Sequence, residues 1–198
     1  MRYFLLLFLL VGLLAPRLHA QTFNAAIIGG INLSQIDGDD MAGYDKVGWN
    51  AGVKAYAFLQ EQLSLSFELL YSEKGSRASL IDRQFVPPTN IFMQYAEIPV
   101  LIHYHDRNGM VFGGGFSYNQ LFDFQRTVNG VNTSQDDPVP NNSDWAIVGD
   151  LTFVIKDHFG INGRMSYSLF PIANDPNSNL QNQQWLNNVI SLRLMYIF

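Results

Sequence analysis

The stretch that decides the fold is NNVISLRLMYIF, residues 187–198, which forms the end of the chain. The positions between its bulky residues include Ser191 and Arg193, so the stretch alternates between apolar and more polar side chains. A period of two is typical of a β-strand with two different faces. The stretch therefore predicts a strand, and leaves open whether its apolar face meets a protein core or the hydrocarbon of a membrane. The residues of the apolar face are Ile190, Leu192, Leu194, Tyr196 and Phe198.

Seven further segments alternate in the same way, and most are close to the ~9–11 residues that a tilted membrane strand requires. Their connections alternate between long polar loops and tight turns, a rhythm that is typical of outer-membrane barrels and that a Greek-key sandwich would not require. The sequence therefore predicts an all-β fold, an eight-stranded antiparallel up-and-down transmembrane β-barrel. The seven segments are 25–33, 48–59, 62–72, 91–104, 110–122, 144–155 and 159–170, and the long loops are 34–47, 73–90, 123–143 and 171–185.

The more polar face of most strands carries a mid-strand charge among serines, asparagines, glycines and tyrosines. A soluble barrel would place these charges in water, whereas a barrel in lipid turns its apolar face outward and encloses them. The polar faces contain few Lys and Glu for a solvated surface, which favours the second arrangement. Enclosed charges have to be paired, and three cations match three anions. We expect the lumen to contain Lys54, Glu68, Glu97, Asp150, Arg164 and Arg193.

Aromatic residues near the ends of the segments are placed as two interfacial belts would require. Trp185 has the wrong parity for the apolar face of the last strand, and we expect it above the bilayer or beside a bulge. The belt beside the long loops would contain Trp49, Phe92 and Trp145, and the belt beside the short turns Tyr104, Phe159, Tyr196 and Phe198.

The two termini carry predicted targeting signals. Residues 1–20 combine Arg2, an apolar run over residues 4–14 and a small residue at Ala20, which indicates a signal peptide. An uncleaved anchor is the alternative, but the apolar run is shorter than the ~20 residues of a spanning helix. Residues 21–198 would then form the barrel domain in the cell outer membrane, with outer-membrane lipid as its surroundings. Tyr196 and Phe198 resemble the C-terminal signal that the barrel-assembly machinery recognises.

Composition and motifs exclude several kinds of chemistry. The chain contains no cysteine, which excludes disulfides and thiolate sites, and its net charge of −5 without a basic stripe argues against nucleic acid. The acidic segment 36–46 lacks the EF-hand pattern, so a solvated loop is favoured over a calcium site. His103 and His105 are too few for a zinc site, and we expect no cofactor.

Three segments resemble strands of the PorT-like outer-membrane β-barrel family: GGINLS (29–34), ELLYSEKGS (68–76) and YAEIPVLIHY (95–104). Members of this family are typically described as outer-membrane or porin-family proteins, many without an assigned activity. The resemblance implies an outer-membrane barrel, while eight strands leave an interior just wide enough for side chains.

Three classes of function fit a barrel of this size. The first is a non-enzymatic barrel with a filled lumen that is structural or meets a protein or ligand partner through its outer loops, of which 123–143 is the longest. The second is a small-molecule binder or narrow transporter, which needs an open lumen. The third, a lipid-modifying enzyme, is disfavoured because the predicted outer rim offers serines but no histidine to serve as a base. These serines are Ser72, Ser79, Ser117 and Ser143.

Overall fold

The computed structural model describes residues 23–80, 82–84, 86–136, 138–156, 158–175 and 183–198. The predicted signal peptide, residues 1–20, lies outside the described residues. No helix in these ranges is long and apolar enough to cross a membrane.

Eight long strands form the wall of the molecule, and each follows one of the eight alternating segments of the sequence. Two short strands, β6 (Val131–Asn132) and β9 (Ala173–Asp175), and a 3₁₀ turn at Asp82–Gln84 accompany them. The long strands are β1 (Phe23–Asp37), β2 (Lys46–Gln60), β3 (Leu63–Arg77), β4 (Thr89–His105), β5 (Met110–Val128), β7 (Ser143–Lys156), β8 (Phe159–Ser168) and β10 (Gln183–Ile197).

The wall is closed by its first and last strands. Each long strand pairs antiparallel with its neighbour in sequence, and β1 pairs with β10 from Ala26 opposite Ile197 to Asp37 opposite Leu186. Among the described strands, closure leaves none of the eight long ones with an unpaired edge, which hydrocarbon could not satisfy. The predicted eight-stranded up-and-down antiparallel barrel is therefore confirmed.

Several strands continue beyond the segments that the sequence indicated, and the longest extensions lie at the long-loop end. β3 runs on to Arg77 and β5 to Val128, through residues that resemble a loop because most of them are polar or glycine. Gly75 is required where it stands in β3, because its φ is +141° and a Cβ there would collide with the carbonyl oxygen of Ile91 on β4. Pairing with long neighbouring strands has outweighed the low strand propensity of these residues. We call this end of the barrel the outer end.

The two faces of the wall are inverted relative to a soluble protein. On the outside, Leu65, Ile102 and Leu192 expose 41%, 54% and 59% of their surface, whereas Glu68 and Arg193 on the inside expose 0% and 1%. The apolar face thus points away from the barrel axis and the charged face towards it, as in a barrel surrounded by lipid.

Aromatic side chains are found at both ends of the outside face. Trp49 and Trp145 are exposed near the outer end. At the short-turn end, the ring of Tyr196 lies 5.2 Å from the ring of Phe159 and 5.4 Å from that of Phe198. Such belts anchor a barrel at the two membrane interfaces. The role of Tyr196 and Phe198 as an assembly signal stays a prediction.

Candidate functional site: the barrel lumen

Six buried, ionisable side chains meet near the middle of the lumen, and we call them the central charge cluster. Each comes from a different strand of the wall and points inward because the strand alternation places it on the inner face. Five of the six lumen charges expected from the sequence are brought together here, and a histidine joins them. The cluster consists of Lys54, Glu68, His103, Asp150, Arg164 and Arg193.

Arg164 bridges the two carboxylates of the cluster. Its Nη1 lies 2.9 Å from Oε2 of Glu68, and its Nη2 lies 2.7 Å from Oδ2 of Asp150. Arg193 faces the same two oxygens at 3.6 Å and 3.5 Å, and its Nε donates to Oδ1 of Asn162 at 2.8 Å. Guanidinium groups suit this arrangement because their planar donors can serve two acceptors at once.

Lys54 and His103 lie on the short-turn side of the arginines. The Lys54 Nζ is 3.6 Å from Oε1 of Glu68 and donates to Nε2 of His103 at 3.1 Å. An ammonium has no lone pair, so Nε2 has to be the acceptor, and the ring proton then sits on Nδ1, which lies 3.6 Å from Oδ1 of Asp150. The geometry therefore favours a neutral His103 in the Nδ1–H tautomer.

The sixth expected charge, Glu97, has a different nearest partner. Its Oε1 lies 2.5 Å from Nζ of Lys74, a buried lysine that also sits 4.9 Å above the ring of Tyr95. Sequence reasoning missed Lys74 because it placed residues 73–90 in a loop. The signal was present, since Ser72, Lys74 and Ser76 continue the inward parity of β3.

A layer of amide and hydroxyl side chains lies between the central charge cluster and the outer end of the barrel, and we call it the polar layer. Ser191 Oγ donates to Oδ1 of Asn32, and Asn32 Nδ2 donates to Oγ of Ser72. Asp144 is buried in this layer, where its Oδ2 accepts hydrogen bonds from Nδ2 of Asn119 at 3.2 Å and of Asn187 at 3.1 Å. Amide donors compensate the buried carboxylate here in place of a cation.

Apolar side chains close the outer end of the lumen, and we call them the outer plug. Trp185 belongs to it and is 2% exposed, an inward position that the expectation of a place above the bilayer or beside a bulge did not include. Its parity, wrong for the lipid face, is the parity of Arg193 on the lumen face of β10. The plug consists of Ile36, Ile91, Met93, Tyr95, Leu121, Ile172, Ala173 and Trp185.

The other end of the lumen contains a cavity of about 320 Å³, which we call the short-turn cavity. Its floor is Lys54 and His103 of the central charge cluster, and Phe58 and His105 lie near its mouth. Ser64 Oγ and Nε2 of His105 are 2.7 Å apart on its wall. The remaining lining residues are Tyr56, Val111, Thr152, Val154, Met195 and Ile197.

Glu68, His103 and Asp150 are the described residues whose ligand atoms approach one another as a metal site requires, within 4.8 Å. Their carboxylates already face Arg164 and Arg193, which supply the positive charge that a metal ion would bring. In the acidic segment, Asp39 Oδ1 accepts from the backbone N of Met41 and Asp40 Oδ1 from Nε2 of Gln183. These carboxylates serve protein donors.

The rim serines do not meet a base. Ser72 and Ser117 point into the lumen, where Ser117 Oγ donates to Oδ1 of Asn119. Ser79 Oγ accepts from the backbone N of Asp82 in the 3₁₀ turn. The described histidines, His103, His105 and His158, all lie towards the short-turn end, so no nucleophile and base come together at the outer rim in the described ranges.

Residues 19–174 match the family model described as "Outer membrane protein beta-barrel domain". The chain belongs to this family. The match covers most of the barrel and is independent of the lumen geometry, and the two together place the protein in the outer membrane. No curated protein matches the chain significantly.

Solved barrels share the fold at low sequence identity. The attachment invasion locus protein Ail of Yersinia pestis superposes with a TM-score of 0.53 at 13% identity, covering 88% of this chain and 98% of Ail. Neisserial surface protein A gives a TM-score of 0.53 at 9% identity, covering 91% of this chain and 100% of that protein. At identities this low, the two superpositions support the barrel architecture alone.

Proposed function

We propose that this outer-membrane barrel is a non-conducting, non-enzymatic protein that acts through contacts made by its outer loops. The observation that carries the proposal is the filled lumen. The outer plug, the polar layer and the central charge cluster follow one another along the axis, and each is made of buried side chains. A solute crossing from end to end would have to displace all three layers, which favours a structural or binding role over transport.

The outer end has the features of a contact surface. Apolar side chains are exposed in its loops, where Leu80 is 81% exposed, Val131 64% and Val139 49%. These residues lie beyond the membrane-spanning part of the wall, so lipid does not account for them, and exposed apolar groups of this kind mark interaction sites. The motifs at 68–76 and 95–104 favour the PorT-like branch of the family for this protein.

Conductance tests the first half of the proposal. The full protein, reconstituted in planar bilayers, should show no current steps, and an open general porin inserted in the same bilayers is the positive control. Steady single-channel steps from the wild-type barrel would contradict a closed lumen.

Site-specific photo-crosslinking in intact cells tests the second half. A photoreactive residue at Leu80 or Val131 should yield adducts with a protein or surface glycan, because both residues are largely exposed in the outer loops. The matched control is the same residue at Leu65 on the lipid face, which should give lipid adducts only. Identical adducts at the loop and control positions would count against loop-mediated contacts.

A further inference from the structure

The charges of the central cluster do not balance. Glu97 is 2.5 Å from Lys74 and so belongs chiefly to that pair, although it also acts on Arg193 at longer range. Asp144 is held by amides in the polar layer. What remains around Lys54 are three cations and two carboxylates, with His103 neutral, which leaves an excess of one positive charge. An excess buried charge is unfavourable unless a counter-ion reaches it.

The unbalanced charge faces the short-turn cavity. Lys54 is 6% exposed and forms part of the cavity floor. Among the residues that the structure describes, one acceptor lies within hydrogen-bond distance of its ammonium, Nε2 of His103, since the Glu68 oxygen is 3.6 Å away. A buried ammonium with donors to spare, lying at the floor of a cavity, is a site for an anion.

The cavity walls restrict the kind of anion. Val111, Val154 and Met195 line the sides, and Tyr56 and Phe58 add aromatic surface. Inorganic phosphate or sulfate would leave these walls unused, whereas an anion with a compact apolar body would cover them while its charged end met Lys54. A volume of about 320 Å³ is at the lower end of what small-molecule sites require.

We propose that the short-turn cavity binds a small organic carboxylate, with the carboxylate on Lys54 and an aliphatic or aromatic body against Val111, Val154 and Met195. This site is separate from the outer loops and lies at the opposite end of the barrel. It needs no passage through the lumen, because the ligand enters and leaves by the mouth near Phe58 and His105.

The probe that tests the site is 4-fluorophenylacetate, titrated by ¹⁹F NMR against the full protein in neutral phosphatidylcholine nanodiscs. Empty nanodiscs give the partition into lipid, which is subtracted. 4-Fluorophenylethanol has the same body without the charge and should bind about tenfold more weakly or worse, because it loses an ionic hydrogen bond. Equal binding of the acid and the alcohol would overturn the proposal.

Two variants locate the site. Lys54→Met keeps the length of the side chain and removes the excess charge, so affinity for the carboxylate should fall about tenfold or more. Lys46→Met removes the same charge from the outer end and should leave affinity within about twofold, since surface charges at that distance are screened. A Lys54→Met protein that binds as tightly as the wild type would refute the assignment.

Val154→Trp decides the question if Lys54→Met does not fold. Val154 lies on the cavity wall and is partly exposed, so an indole there should block the cavity without disturbing the central cluster. Binding should be lost while the unheated protein keeps its compact gel mobility. Retained binding in this folded variant would also overturn the proposal.

Discussion

At the scale of single residues, Lys74 and Glu97 form a buried ion pair that can be tested by removing its members one at a time. Glu97→Leu leaves the Lys74 ammonium buried without its counter-ion, and should lower the free energy of unfolding by about 3–5 kcal/mol. The double variant, Lys74→Met with Glu97→Leu, removes both charges and should recover most of that loss. Urea unfolding in lipid vesicles, followed by tryptophan fluorescence, measures both.

A double variant no more stable than Glu97→Leu would show that the two side chains are not coupled. The matched control is Glu61→Gln in an exposed turn between β2 and β3, which should change stability little because an exposed charge is well solvated.

Asp39 in the loop after β1 should respond to pH. Burial raises the pKa of Asp39 from 3.8 to about 7, although hydrogen bonds from Ser76 and Met41 oppose the shift. Because the folded loop binds this proton more tightly than the unfolded chain, the contribution of Asp39 to stability is fully present below about pH 4 and is lost as the pH rises through 7.

Hydrogen exchange checks this prediction at the backbone amides of the outer end of β1, where Asp37 pairs with Leu186 of β10 and which do not bond to the Asp39 carboxyl. After correction for intrinsic exchange rates, the protection of these amides should fall between pH 5 and pH 8 in the wild type and stay flat in Asp39→Asn. A pH-independent protection factor in the wild type would contradict the raised pKa.

At the scale of elements, the start of β10 combines a strand with a plug. Trp185→Ala removes the largest side chain of the outer plug and should cost about 3–5 kcal/mol, because the closed barrel wall cannot collapse into the space. Trp145→Ala is the matched control on the lipid face, where Trp145 is 49% exposed, and should cost less. Equal losses would show that Trp185 is not packed inside.

The sequence determined the elements more reliably than their ends. The alternation in all eight segments sufficed to predict the number of strands, their order and which side chains face lipid. In a closed barrel in lipid, the apolar positions of each strand have to face outward and the alternate positions inward. The prediction of strand ends failed from residue 73 onwards in β3 and from residue 123 onwards in β5, where polar residues and Gly75 resemble a loop. The inward side chains of Lys74 and Trp185 were not predicted for the same reason: both residues lie where a strand continues past the membrane, and hydropathy no longer distinguishes the two faces of the wall.

The partners of the inward charges could not be read from parity alone. Parity states that Glu97 faces the lumen, but its depth along the axis depends on strand tilt and register. Glu97 lies opposite Leu70 on β3, near Lys74 rather than beside Asp150. A count of three cations against three anions could name the inward side chains but not their partners, and the excess charge on Lys54 became visible only in three dimensions.

At the scale of the whole molecule, the two ends of the lumen differ in kind. The outer end is closed by an apolar plug beneath long loops, and the short-turn end is a cavity above a cationic floor. A barrel with a purely structural role would not need a plug at one end of its lumen and a cavity at the other. The asymmetry would keep the proposed contacts at the outer end apart from the proposed ligand site at the other end, with the central charge cluster between them.

The orientation of the wall in lipid supports every other conclusion, and Leu192 tests it. The last ~9–11 residues of β10 suffice to cross the hydrocarbon, which places Leu192 near its middle. Leu192→Lys should therefore destabilise the barrel in vesicles by about 2–4 kcal/mol. Val47→Lys, at the outer start of β2 where the side chain is 61% exposed, should cost about 0–1 kcal/mol, because a charge near the interface reaches water. If the two lysines cost the same in urea titrations, the exposed apolar face of the wall does not face hydrocarbon.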